Sequence, residues 1–98
     1  MYTEIYNYQF KNSEAKAQGI EFIKNSYIPF EEKKHGFIKS LMVDGDSDDI
    51  FLMLEFKVRE NCYGKSMPKD DFLPFAELLE KAPAKLSGLN KAYKEFWN

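Results

Sequence analysis

The sequence, 98 residues long, predicts an α+β fold in which an antiparallel sheet carries helices on one face. Three observations predict it. Gly36 to Val58 reads as two strands joined by an acidic turn. The first ten residues alternate as a strand does. Two later stretches space their apolar residues three or four apart, as amphipathic helices do.

The hairpin organises the rest. Ile50, Leu52, Leu54, Phe56 and Val58 fall on one side at the two-residue period of a strand, so that side is buried against something continuous. The other side runs Phe51, Met53, Glu55, Lys57, apolar and then charged. In the first strand of the pair, Phe37, Leu41 and Val43 share a side with Lys39, and Ile38 and Met42 flank Ser40. Between the strands, Asp44 to Asp49 is turn chemistry with Asp-Gly near its start.

Before the hairpin, Tyr2, Tyr6, Tyr8 and Phe10 lie on one side of a strand with Glu4, and Ile5 and Asn7 lie on the other. Asn12 or Ser13 caps a helix whose face is Ala17, Ile20, Ile23, Tyr27 and Phe30. Gly19 costs about 1 kcal/mol there relative to Ala. Pro29, lacking an amide hydrogen, is expected to end or bend it. After the hairpin, Arg59 to Ser66 is ambiguous. Asp70 or Asp71 caps a second helix with Pro74 in its first turn, a stripe of Phe72, Phe75, Leu79 and Ala82, and Pro83 at its close. The tail from Ala84 to Asn98 fits either a strand or a helix.

Composition bounds the function. With 44% hydrophobic and 16% aromatic residues, one domain over 1–98 can bury a core without disulfides or metal. A net charge of −2 argues against nucleic acid, which attracts a basic surface. Cys62 is the one cysteine, so no intrachain disulfide forms, and a reducing compartment fits. There is no apolar leader and no run long enough to span a bilayer, so a cytoplasmic protein with no membrane partner is expected.

The order strand, helix, strand, strand, helix, with a final short element, is the ferredoxin-like βαββαβ plan. Gly36-Phe37 opening the second strand, and Glu55-Phe56 running out into Arg59-Glu60 with Tyr63 and Ser66 following, resemble the dimeric α+β barrel superfamily. The group most resembled is the antibiotic-biosynthesis monooxygenase-like family, with the stress-responsive barrel proteins close behind. The resemblance implies a homodimer that closes a barrel and a cleft between sheet and helices. Some such proteins oxidise aromatic compounds without metal or flavin, and others degrade haem. The haem-degrading pattern joins a first-strand asparagine, which Asn7 matches, to a tryptophan and a helical histidine. Here the one His is His35, before the second strand, and the one Trp is Trp97, near the end. Phe56 stands near where relatives carry a strand-end tryptophan.

Two functions follow as expectations. The first is a cofactor-independent monooxygenase acting on a small aromatic or polycyclic compound, with no cofactor or metal. Asn7 would polarise the substrate oxygen, Tyr63 would donate a proton or hydrogen bond, and Tyr6, Tyr8, His35 and Phe56 would contact the ligand. The second is a non-catalytic dimeric module that binds a small apolar ligand or a protein partner. The homodimer also follows from the second face of the sheet, which with Phe51, Met53 and several rings is apolar enough to need cover. Each site residue has a plainer reading: Asn7 as a satisfied buried amide, the tyrosines as core or dimer packing, His35 as a polar lead-in to a strand. Asp44, Asp46, Asp48 and Glu55 match positions 1, 3, 5 and 12 of a calcium loop, but Asp49 stands at position 6, where such a loop needs Gly, so a solvated hairpin is expected. His35 and Cys62 as base and nucleophile lack any local feature that would activate the thiol.

Overall fold

A computed structural model describes residues 1–85, in the order β1 (Tyr2–Gln9), α1 (Ser13–Phe22), a π-helical turn (Ile23–Tyr27), α2 (Ile28–Glu32), β2 (Phe37–Asp44), β3 (Asp49–Phe56), α3 (Arg59–Tyr63), α4 (Lys69–Ala76) and β4 (Ala84–Lys85). The sheet runs β2-β3-β1-β4, antiparallel throughout. This is the ferredoxin-like arrangement that the element order predicts. Most of the expected tail lies outside the described residues. The part within them, Ala84 and Lys85, pairs with Asn7 and Tyr6 of β1.

The two-residue period sorts β1 and β3 cleanly. Tyr8, Phe10, Ile50, Leu52, Leu54 and Phe56 face the helices and form the core with Ile23, Cys62, Phe75 and Leu79. Phe75 is the hub of that core. Its ring centroid lies 5.1 Å from Tyr8, 5.9 Å from Phe10, 5.1 Å from Phe22 and 5.4 Å from Phe72, and each such pair adds about 0.5–1.5 kcal/mol to the burial of the rings.

β2 departs from the expected pattern at its start. A bulge between Phe37 and Lys39 lets Phe37 oppose Phe56, whose ring it meets edge-on at 5.6 Å, while Lys39, Leu41 and Val43 oppose Glu55, Met53 and Phe51 on the outer face. One extra residue moves every side chain before it to the opposite face. Gly36 leads into this bulge with φ +82, and a side chain there would collide with the Asn61 amide, so both conformation and space require glycine.

The helices differ from expectation in three places. The first helical segment buries Ala15, Gly19 and Ile23, and leaves Ala17 exposed. Asn12 caps it by accepting from the Ala15 amide at 2.8 Å. Gly19 is buried because the Phe10 ring lies against its Cα, where a methyl group would overlap it. Pro29 does not end the helix. The π turn shifts the bonding register just before it, with the Ile28 amide donating to the Ile23 carbonyl, and places Pro29 at the start of α2, where a missing amide hydrogen costs little. The second predicted helix splits differently: α3 forms from the ambiguous stretch, and α4 stops at Ala76. Pro74 lies inside α4. Beyond it the chain turns to run along the end of β1: Lys11 N donates to Leu78 O at 3.0 Å, Glu80 N donates to Gln9 O at 2.8 Å, and Leu79 bridges to Phe10.

On the outer face, the centre of the sheet is out of solvent within one copy of the chain. Thr3 and Glu55 are buried and bonded to each other at 3.1 Å, and Ile5 and Met53 are buried beside them. The rings of β1 lie on the helix side, so Phe51 is the aromatic residue that β1, β2 and β3 place on the outer face. Its apolar surface is therefore narrower than expected, with Leu41 exposed and Val43 and Phe51 half-buried.

Candidate functional site

The candidate site is the cleft between β1 and the helices. It has a volume of about 410 Å³. Tyr27, Met67, Phe72, Leu73 and Ala76 line it with apolar surface, and Tyr6, Glu31, Lys34, Cys62 and Tyr63 supply its polar groups. Its size falls within the range of small-molecule sites, about 300–1,000 Å³.

Behind its wall lies Glu4, fully buried on the helix side of β1. The Tyr2 and Tyr63 hydroxyls both donate to its Oε2, the Tyr6 hydroxyl donates to Oε1, and the Cys62 thiol adds a fourth hydrogen bond. A carboxylate has lone pairs for about four donors, and these four occupy them. Strand geometry explains the arrangement. Tyr2 and Tyr6 are two residues to either side of Glu4 and share its face, while α3 brings Tyr63 and Cys62 over from beyond β3. Arg59, one turn before Tyr63, lies 4.8 Å from its ring centre and holds it from the solvent side.

A second buried acid stands at the other side of the cleft. Glu31 meets Lys34 Nζ at 2.7 Å and accepts from the Tyr27 hydroxyl. Lys34 also donates to the Cys62 carbonyl at 2.7 Å and lies over the Phe30 and Phe56 rings. Burial raises the Glu31 pKa more than Lys34 lowers it. Burial first, and then the neighbouring carboxylates Glu4 and Glu31, push the Cys62 thiol up to about 12. The Tyr2, Tyr6, Tyr8 and Tyr27 hydroxyls are likewise raised, chiefly by burial, so they act as hydrogen-bond donors and not as phenolates.

The residues predicted from sequence divide. Tyr6 and Tyr63 line the cleft together. Tyr8 is buried in the core, stacked on Tyr6 at 5.9 Å and edge-on to Phe75. Phe56 is fully buried under Lys34 and exposes nothing to a ligand. His35 lines a neighbouring cavity of about 330 Å³ with Phe30, Lys33, Lys34 and Lys65. Asn7 is on the opposite face of the sheet. Its amide donates to Asp49 Oδ2 and to the Ile50 carbonyl, both at 3.2 Å, and accepts from Gln9 Nε2 at 3.0 Å. Asn7 and Tyr63 therefore do not converge, because odd residues of β1 point away from the helices. The sequence carries a signal for the acid that was missed: Glu4 is the lone charge on a strand face otherwise made of rings.

The other candidates disperse. His35 and Cys62 line different cavities, and the raised pKa of the thiol is the reverse of nucleophile activation. Of the acidic residues compared with a calcium loop, Asp44 pairs with Lys16 and Glu55 bonds Thr3 on the outer face. Among the described residues, no three His, Cys, Asp or Glu side chains gather as metal ligands, and no helix is long and apolar enough to cross a membrane.

Comparison with solved structures gives consistent neighbours. A monooxygenase from the gene ActVA-Orf6 of Streptomyces coelicolor, in complex with nanaomycin D, superposes with TM-score 0.68 at 11% identity, over 87% of this chain and 82% of that one. A proposed antibiotic-biosynthesis monooxygenase from Nitrosomonas europaea gives 0.71 at 11% identity, over 87% and 85%. A dimeric ferredoxin-like protein from an uncultured marine organism gives 0.66 at 9%, over 87% and 83%. The chain shares their fold. At these identities the likeness carries the architecture and not an activity. No family model matches the chain, and no curated protein does.

Proposed function

We propose that the protein is a monooxygenase-like enzyme, one domain over residues 1–98, whose cleft takes a small aromatic or polycyclic compound without a resident cofactor. The observation that carries this reading is the pair of tyrosine hydroxyls, Tyr6 and Tyr63, that line the cleft and both donate to the buried Glu4. A ligand hydroxyl set against either tyrosine is one hydrogen bond from that carboxylate. The tyrosine passes its proton to Glu4 and takes the ligand's, leaving an electron-rich aryloxide in a cleft walled by Phe72, Leu73 and Met67. Molecular oxygen is then the oxidant. One of its atoms replaces the ring hydrogen opposite the hydroxyl, the ring becomes a quinone, and the other atom leaves as water. The bound nanaomycin D of the Streptomyces neighbour supports a polycyclic ligand.

Pairing of two copies through the outer sheet face belongs to the same proposal. It is supported by the dimeric neighbours and by the exposure of Leu41. Light scattering at micromolar concentration that gave one copy would count against it. The lone buried Cys62 agrees with a cytoplasmic setting.

The test is oxygen uptake with a panel of hydroxylated aromatics. The proposal expects one oxygen consumed per quinone formed, and a rate lowered about 100-fold in Glu4→Gln. The non-catalytic module is favoured by one observation: Asn7 spends its amide on Asp49 and Ile50, so the expected polarising donor is absent from the cleft. Tight binding of such compounds with no oxygen uptake would select the module.

A further inference from the structure

We propose that the ligand carries an anionic substituent, a carboxylate, held at the cleft mouth by Lys65 and Lys69 while its neutral rings lie inside against Tyr27, Phe72 and Leu73. This rests on the cleft reading above and adds the charge and the orientation of what the cleft takes.

Two features fix the direction. The inner end holds the buried carboxylates Glu4 and Glu31. Glu4 is served by hydroxyl donors and Glu31 by Lys34, so neither needs a ligand cation. A ligand anion pushed to that depth would meet the Glu4 charge with little water to screen it. A neutral hydroxyl would instead donate to the Tyr6 or Tyr63 oxygen, whose own hydrogens go to Glu4. The outer end has the opposite sign. Lys65 and Lys69 line the cleft and are exposed, and among the described residues neither enters an ion pair. Lys65 also borders the cavity that holds His35 and Lys33, where Glu60 is the one acidic lining residue among the described residues. The chain as a whole is net −2, so this positive mouth is a local arrangement and not a consequence of overall charge. An aromatic carboxylate fits both ends at once, whereas a cation is repelled at the mouth.

The test compares 6-hydroxy-2-naphthoate with neutral 2-naphthol by fluorescence titration at pH 7. The wild type is expected to bind the naphthoate about tenfold more tightly, which is about 1.4 kcal/mol, and that preference should shrink as salt rises from 50 to 300 mM. In Lys65→Gln/Lys69→Gln the two affinities should agree within about twofold, with 2-naphthol unchanged. A control, Lys24→Gln/Lys39→Gln, makes the same change in net charge away from the cleft and should keep the preference. Equal binding of both probes by the wild type, or a preference that survives in the Lys65/Lys69 variant, would overturn the inference and leave the cleft reading standing. Binding of neither probe would overturn both.

Discussion

The Tyr63 hydroxyl donates to the carboxylate of Glu4 across 59 residues of chain, joining the short helix after the hairpin to the middle of the first strand. Glu4 is fully buried and Tyr63 half-exposed, so the two ends of this bond differ in consequence. Glu4→Gln leaves three hydroxyls facing an amide in place of an anion and is expected to destabilise by about 2–4 kcal/mol. Tyr63→Phe is expected to cost about 1 kcal/mol, the net worth of one hydrogen bond, because Tyr2, Tyr6 and Cys62 still donate to Glu4. Urea unfolding of both variants checks this. A neutral Glu4→Gln would mean that the carboxylate does not organise the ring of donors.

Gly19 makes a separate prediction. On helix propensity alone, Gly19→Ala should stabilise by about 1 kcal/mol. The Phe10 ring occupies the space that the methyl group needs, so the net change is expected to be a loss of about 1–3 kcal/mol. Phe10→Leu should absorb part of that loss when the two are combined. A thermal melt in which Gly19→Ala is more stable than wild type would show that the ring yields freely.

Glu31 sets a pH dependence. Its pKa in the folded chain is raised, chiefly by burial, above the ordinary value of 4.5. The folded state therefore binds the proton more tightly than the unfolded one. This contribution to stability is complete below about pH 4.5 and is lost as pH rises through the folded pKa. Glu31→Gln removes it, so the stability of the variant relative to wild type should increase as pH rises from 4 to 7. Melting temperatures across that range provide the measurement, and a constant or falling difference would contradict the assigned direction.

Cys62 should be nearly inert. It is buried, and a pKa of about 12 leaves little thiolate at pH 8. Labelling by a thiol-specific disulfide reagent is expected to be at least about 100-fold slower in native buffer than in denaturant. Comparable rates would show that the thiol is open to solvent and free of its acidic neighbours.

Much of the fold was legible because period alone decides it: the core face of β3 from Ile50 to Phe56 and the split of β1 into a ring face and an Ile5–Asn7 face stand in the structure as read, whereas Val58, read onto the same buried face, lies past the end of the strand and is exposed. What escaped depended on contacts distant in sequence. The bulge at Phe37 reverses one side chain, and no local composition announces it. The π turn that accommodates Pro29 and the early stop of α4 at Ala76 are register effects that apolar spacing does not encode. At the site, Tyr6 and Tyr63 were legible, whereas Glu4 was not, because a charge among tyrosines on a strand reads as exposed until α3 is seen to cover it. Asn7 was assigned to the correct face of β1. Its expected role came from resemblance, and that face turns out to be the one that looks away from the cleft.

The central claim, that function resides in the cleft over Glu4, is tested most directly by amide NMR shifts during titration with 6-hydroxy-2-naphthoate. The account predicts that the perturbed amides gather at Tyr6, Tyr27, Cys62, Tyr63, Lys65 and Leu73. Perturbations centred instead on Asn7, Asp49 and Phe51, across the sheet on its outer face, would contradict it.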